Sequence, residues 1–274
     1  MNLFRCTFRF AMLSVFLLLL LLVAPAWAHK IWLNPADHFP APGSTVELGI
    51  GWGHKYPTER THEKLKEGMP EKIQAVAPDG KAAELVKLAH GRYSLKVTTP
   101  GTYLVMTKGK SGFFTKTPEG RKWGNKTEIA NAVQCTNYHL SGKTAIMVGN
   151  SEQGFDRVTG QDIELIPLTN PGQVKKGEIF KIKLLLDGKP VVNVPLKAAY
   201  AGFDKVDKTN KKAEKKKNDR PFPAEAITDN QGVAELRFDR PGYWLVSLSH
   251  KPPYPDLAVC DQYMYNVTFT LEVK

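Results

Sequence analysis

Apolar and polar residues alternate with a period of two through most of the chain, as in 45–50, 93–97, 179–186 and 267–273, and Pro, Gly, Asn and Asp separate these runs. Alternation at that period puts one face of a strand in a core and the other outward. The runs recur every 10 to 15 residues with no helical pattern between them. This spacing predicts a mostly β protein built of antiparallel sandwiches, of the immunoglobulin-like or transthyretin-like kind, rather than a parallel α/β sheet. One stretch departs from it. Residues 125–140 begin with Asn125 and Thr127, either of which could cap a helix, and carry Ile129, Val133 and Tyr138 at near-helical spacing. They read as one short helix or as an ordered loop over the sheet.

A pattern also repeats. The segment 95–105 (LKVTTPGTYLV) resembles 236–246 (LRFDRPGYWLV) at a constant offset of 141. Each reads as a hairpin in which Pro fixes φ and Gly accepts a positive φ. Two similar sandwiches would explain the repeat. Turn residues cluster at Thr169, Asn170, Pro171 and Gly172, so the expected domains are 29–169 and 170–274.

The first 28 residues stand apart. Arg5 and Arg9 precede an apolar run, 11–23, and Ala26-Trp27-Ala28 forms an A-x-A cleavage site, the pattern of a secretory signal. The apolar run is shorter than the roughly 20 residues a spanning helix needs, and no later run approaches that length. A mature periplasmic chain with no membrane span, beginning at His29, is expected. Cys6 leaves with the signal, so Cys135 and Cys260 remain. In an oxidising compartment they can form a disulfide, and two buried free thiols fit the sequence equally well.

The formal charge is +11, and removal of Arg5 and Arg9 leaves +9. Much of it sits in 205–220, where seven Lys and one Arg face three acidic residues. With almost nothing apolar to pack, this stretch reads as a solvated loop. It lacks the interleaved aromatics that stack on bases, which argues against nucleic acid as a partner. Nucleophile elbow, phosphate loop, dinucleotide and zincin patterns are missing, so an enzyme is not expected.

All seven histidines lie after the signal. A histidine at the amino terminus offers two nitrogens, the α-amine and the imidazole, that close a chelate on a late divalent metal. His54, in GWGHKYP, sits where glycines end an apolar strand, and His250 ends the strand of the second repeat copy. His29, His54 and His250 are therefore the candidate metal ligands. His38, His62 and His90 lie in turn-like or charged sequence and are expected at the solvated surface; His139, beside Tyr138, is ambiguous.

The start HKIWL at 29–33, Gly53-His54 followed by Pro57 and Glu59, IELIPLTNP at 163–171, DGKP at 187–190 and YNVTFTLEV at 265–273 together resemble the bacterial periplasmic proteins linked to nickel and cobalt uptake, the NikK-like family. The resemblance covers nearly the whole mature chain. It implies two β-sandwich domains and capture of Ni²⁺ or Co²⁺ outside the inner membrane, in association with the membrane subunits of a transporter. His29 and His54 match the family's histidines, while the lysine-rich loop looks like an insertion. Two other readings stay open: a Cu²⁺ carrier or oxidative enzyme using His29 and His54 as a brace, and a metal-free sandwich that docks on an envelope partner.

Overall fold

The alternating segments fold as strands. The computed structural model describes residues 29–53, 56, 65, 68–203 and 221–274. The first strands are β1 (Lys30–Pro35), β2 (Thr45–Gly53), β3 (Lys72–Val76), β4 (Ala82–Ala83), β5 (Leu85–Ala89) and β6 (Arg92–Lys96). Then come β7 (Gly101–Lys108), β8 (Gly112–Thr117), β9 (Gly120–Trp123), β10 (Gln134–Val148), β11 (Ile163–Pro167) and β12 (Ile179–Leu186). The last are β13 (Lys189–Pro190), β14 (Pro195–Tyr200), β15 (Ala224–Ile227), β16 (Val233–Arg237), β17 (Gly242–His250) and β18 (Gln262–Val273).

Ten of these strands make one long sheet, β15-β14-β17-β18-β10-β7-β3-β4, with β8 and β9 added beside β10. A four-stranded sheet, β1-β2-β6-β5, covers one face, and β11-β12-β13 with β16 covers the other. Every described strand pair is antiparallel except β10 with β18, where Thr136 to Thr144 run parallel to Gln262 to Thr270. That pairing joins the two halves of the chain edge to edge. Side-chain alternation then sorts the cores. Leu140, Ile146 and Val148 of β10 enter the cluster with Ile31, Leu33 and Val46. Ala145 and Met147 enter the opposite cluster with Phe180, Trp244 and Phe269.

The chain is almost entirely β, and no α-helix occurs among the described residues. Residues 125–133 form a turn-rich ordered loop rather than a helix. The reason is at Gln134: from there the chain is a strand with partners on both sides, β8 and β18, and that ladder outweighs a weak helical propensity. The loop is fastened by Lys126, whose Nζ lies 2.5 Å from the Asp261 carboxylate. Cys135, next to the start of β10, is disulfide-bonded to Cys260.

The repeated segments take equivalent places in the two halves, but they are not hairpins. Strand β6 pairs with β2 and β5 while β7 joins the long sheet; likewise β16 pairs with β12 while β17 joins the long sheet. Each Pro-Gly turn therefore carries the chain across a sandwich from one layer to the other. Gly101 (φ 132°) and Gly242 (φ 110°) occupy a backbone region that other residues avoid. An aromatic at the same repeat position closes each corner. Tyr103 Oη accepts from Thr98 N and Thr99 N, both at 3.1 Å, and Trp244 Nε1 donates to Arg240 O at 3.0 Å. Strand β11, which precedes the expected boundary at 169/170, pairs with β12 of the second half.

Two buried polar groups brace the junction. Lys143 of β10 and Glu164 of β11 are each 1% exposed and form an ion pair. Burial holds the Lys143 ammonium down to about 8, with the Glu164 carboxylate pulling the other way. Glu164 also accepts from Thr159 N at 2.7 Å, from Thr159 Oγ1 and from Gly160 N at 3.2 Å, which fixes the loop before β11. His38, expected at the surface, is instead buried. Its Nδ1 donates to Ala145 O at 2.9 Å, and Met147 N donates to His38 O at 2.8 Å, so the turn after β1 docks against β10. The turn-like sequence around His38 gives no sign of this long-range contact.

Replacing Cys135 and Cys260 together by alanine should lower stability by about 2–5 kcal/mol, because the bond closes a loop of 125 residues; denaturant melts measure it. His38 generates a pH prediction. Burial lowers its pKa from 6.5 to about 4, so the unfolded chain takes up this proton first as pH falls. Stability should be unaffected by this group above pH 6.5 and should decline by about 3 kcal/mol as pH drops from 6.5 to 4. In His38→Asn, whose amide can still reach Ala145 O, denaturation midpoints measured across that window should be flatter.

Candidate metal centre

His29 is exposed at the head of β1, and the path of β1 follows from its partners. On one side β1 pairs with β2 from Lys30 opposite Gly53 to Pro35 opposite Leu48. On the other side its carbonyls meet side chains of β18. Asn266 Nδ2 donates to His29 O at 3.3 Å, Thr268 Oγ1 to Ile31 O at 2.7 Å and Thr270 Oγ1 to Leu33 O at 2.8 Å. These three side chains are at most 2% exposed, so the hydrogen bonds satisfy groups that water cannot reach. The strand is thus held residue by residue up to its first carbonyl.

Around that end the side chains are equally constrained. Lys30 Nζ donates to Ser247 Oγ at 2.7 Å. The His29 ring lies parallel to the Trp52 indole, with centroids 5.0 Å apart and planes 4° apart. Trp32 crosses Gly51, its partner on β2; a Cβ at Gly51 would fall 1.9 Å from Trp32 Nε1. Glycine at 51 therefore lets the indole lie flat across β2, and the buried cluster of Trp32, Tyr56 and Leu245 forms beneath it.

The other candidates divide. His54 lies outside the described residues, as do His62 and the lysine-rich stretch 205–220. Gly53, which precedes His54 in the sequence, pairs with Lys30, which follows His29. His250 ends β17 opposite Tyr265, and the regular register alternates it with Ser249, which faces Asn266. It therefore lies on the face of Leu248 and Tyr265, whereas β1 crosses the face of Asn266 and Thr268. The sheet stands between His29 and His250. Burial lowers the pKa of the half-buried His250.

His90 is exposed, with Nε2 3.0 Å from Leu65 O. His139 lies on β10 opposite Tyr265, so His139, Tyr265 and His250 form one row across three strands. Among the described residues no group of three or more His, Cys, Asp or Glu is placed to hold a metal ion. The described residues thus form a fixed strand, β1, that presents one histidine beside the end of β2.

The residues that fix β1 escaped the sequence pattern. In YNVTFTLEV the polar positions 266, 268 and 270 look like a solvated face, and only the overlying β1 buries them.

No helix among the described residues is long and apolar enough to cross a membrane. No curated protein matches the chain. Solved structures match at low similarity: a mouse coronavirus receptor-binding domain complexed with its murine receptor (9% identity, 89% of this chain and 99% of that one, TM-score 0.21) and the D0-D1 domain of intimin (13%, 88% and 99%, 0.20). An alpha-2-macroglobulin mutant from Salmonella matches at 12% identity over 90% of this chain and 15% of that one, with a TM-score of 0.25. By a match that spans residues 26–252, the chain belongs to the family described as a domain of unknown function, DUF4198.

Proposed function

We propose that the mature chain is a periplasmic carrier that binds Ni²⁺ or Co²⁺ for delivery to a transporter, with no catalytic step of its own. The ligands in this reading are the amino group and imidazole of His29 and the imidazole of His54. The observation that carries it is the pairing of Lys30 with Gly53, which joins the residue after His29 to the residue before His54. The Asn266 bond to His29 O supports it further, because a strand anchored to its first residue loses little freedom when a metal binds. The Cys135–Cys260 disulfide accords with an oxidising compartment. His250 is left out of the ligand set, since it occupies the other face of the sheet.

Nitrogen ligands suit Ni²⁺, Co²⁺ and Cu²⁺ alike, and Cu²⁺ generally binds them more tightly. The metal recovered with protein from the native periplasm, rather than affinity in vitro, distinguishes the carrier from a copper protein. Substrate oxidation in the presence of a reductant would mark the oxidative enzyme.

Calorimetry on correctly processed protein should show one Ni²⁺ per chain. One extra residue before His29 should weaken binding at least tenfold, because it removes the terminal chelate, and His54→Ala should do the same. His250→Ala should leave affinity within about twofold. Equal binding by the extended and native chains would overturn the proposal. Affinity should also fall as pH drops from 8 to 6, since the amine, with a pKa near 8, and the imidazoles must lose protons to bind.

A further inference from the structure

Along β10 the side chains of Asn137, His139, Ser141 and Lys143 share the face opposite β1, because each pairs with an odd-numbered residue of β18 from Tyr263 to Phe269. Lys143 is matched by Glu164. Its neighbours toward the start of the strand are not matched in this way. Ser141 is 8% exposed and its Oγ makes no hydrogen bond, and neither does His139 Nδ1. Orphaned buried polar atoms of this kind are uncommon because they lose water without gaining a partner.

A cavity of about 160 Å³ is lined by both residues. Met106, Ile163 and Tyr265 supply apolar wall, and the loop fixed by Glu164 supplies Thr159 to Asp162. At the rim Lys108 Nζ meets the Asp162 carboxylate at 2.9 Å, so the two charges offset each other.

The tautomer of His139 is set by its neighbour. Asn137 Nδ2 donates to Gly112 O at 3.1 Å, which turns Oδ1 toward His139 Nε2 at 2.5 Å. Nε2 therefore carries the proton and donates, leaving Nδ1 as a bare acceptor. Burial, with the charge of Lys108 acting the same way and those of Asp162 and Glu71 against it, lowers the His139 pKa and favours the neutral ring.

We propose that this cavity binds the vicinal diol of a compact neutral polyol or monosaccharide. A hydroxyl can donate to His139 Nδ1 while a hydroxyl on the adjacent carbon exchanges a hydrogen bond with Ser141 Oγ. One ligand then satisfies both orphans. The rim offers donors in Lys72 and Lys108 and an acceptor in Asp162 for further hydroxyls, and a guest without charge leaves the Lys108–Asp162 pair intact. The volume suits a single six-membered ring, since a cavity of about 150 Å³ accommodates benzene. Tyr265 gives that ring an apolar surface to lie against. The site lies on the opposite face of the sheet from His29 and does not depend on the metal.

The test is calorimetry on the processed, metal-free full chain with myo-inositol and D-glucose as probes and cyclohexanol as the control without a diol. Saturable binding of either diol, with none of cyclohexanol, is expected; inositol alone would mark a polyol site and glucose alone a monosaccharide site. Ser141→Ala should weaken binding about tenfold, the value of one lost hydrogen bond, without lowering the melting temperature, because it removes an unpaired buried hydroxyl. Ser141→Leu should fill the space and abolish binding. Affinity for the wild-type chain should fall once pH drops below the ordinary imidazole range and Nδ1 takes up a proton. Absence of saturable binding to both diols, equal binding of cyclohexanol, or unchanged affinity in Ser141→Ala would overturn the proposal.

Discussion

The bond between the first and last strands of the described chain is the constraint from which the rest follows. Three side chains of β18, Asn266, Thr268 and Thr270, donate to alternate carbonyls, at His29 just before β1 and at Ile31 and Leu33 within it. An edge strand normally leaves those carbonyls to water. Here those of Ile31 and Leu33 are sealed inside the protein, and each needs its donor. Removing Thr268 or Thr270 would strand a buried carbonyl, so the ladder aligns β1 by position as well as attracting it. The same ladder fixes which face of β18 looks toward β1 and hence which face Tyr265, Val267 and Phe269 give to the opposite core.

Strand β18 is thereby buried on both sides and paired on both edges, with β17 antiparallel and β10 parallel. That parallel pair requires the chain to travel from one half of the molecule to the other before it can form. The Lys143–Glu164 pair and the Cys135–Cys260 bond both lie along this seam. A buried ion pair contributes little net stability against an apolar substitute, but an unmatched Glu164 would be costly, by about 3–5 kcal/mol. Its effect is directional. Glu164 can be satisfied only when Lys143 and the backbone of Thr159 and Gly160 converge on it, which fixes how β11 and its preceding loop sit on β10.

Much of the fold was legible in the sequence because strands are local: period-two alternation and Pro-Gly punctuation located them without knowledge of their partners. The repeat at an offset of 141 was legible too, down to the aromatic at 103 and 244. Its meaning was not, because a hairpin and a crossover between layers use the same turn residues and differ only in what each strand pairs with. The helical pattern at 129, 133 and 138 failed for a related reason. Propensity there is weak, and two flanking strands recruited the chain from Gln134 onward. At the candidate site, the sequence singled out His29 by its place after a cleavage pattern. It could not show that Trp52 stacks on that ring.

By itself, then, the sequence determined a mostly β chain, a histidine directly after a signal-like cleavage pattern, a repeated aromatic Pro-Gly corner and two cysteines available to pair. Each depends on neighbouring residues or on residue type, which the chain carries locally. Only the tertiary structure decided that His250 faces away from His29, that His38 is buried, that the polar positions of β18 are covered, and that His139 and Ser141 share a cavity. Those outcomes depend on register and on the face each strand presents. A shift of one residue in pairing would reverse all of them while leaving the pattern along the chain unchanged.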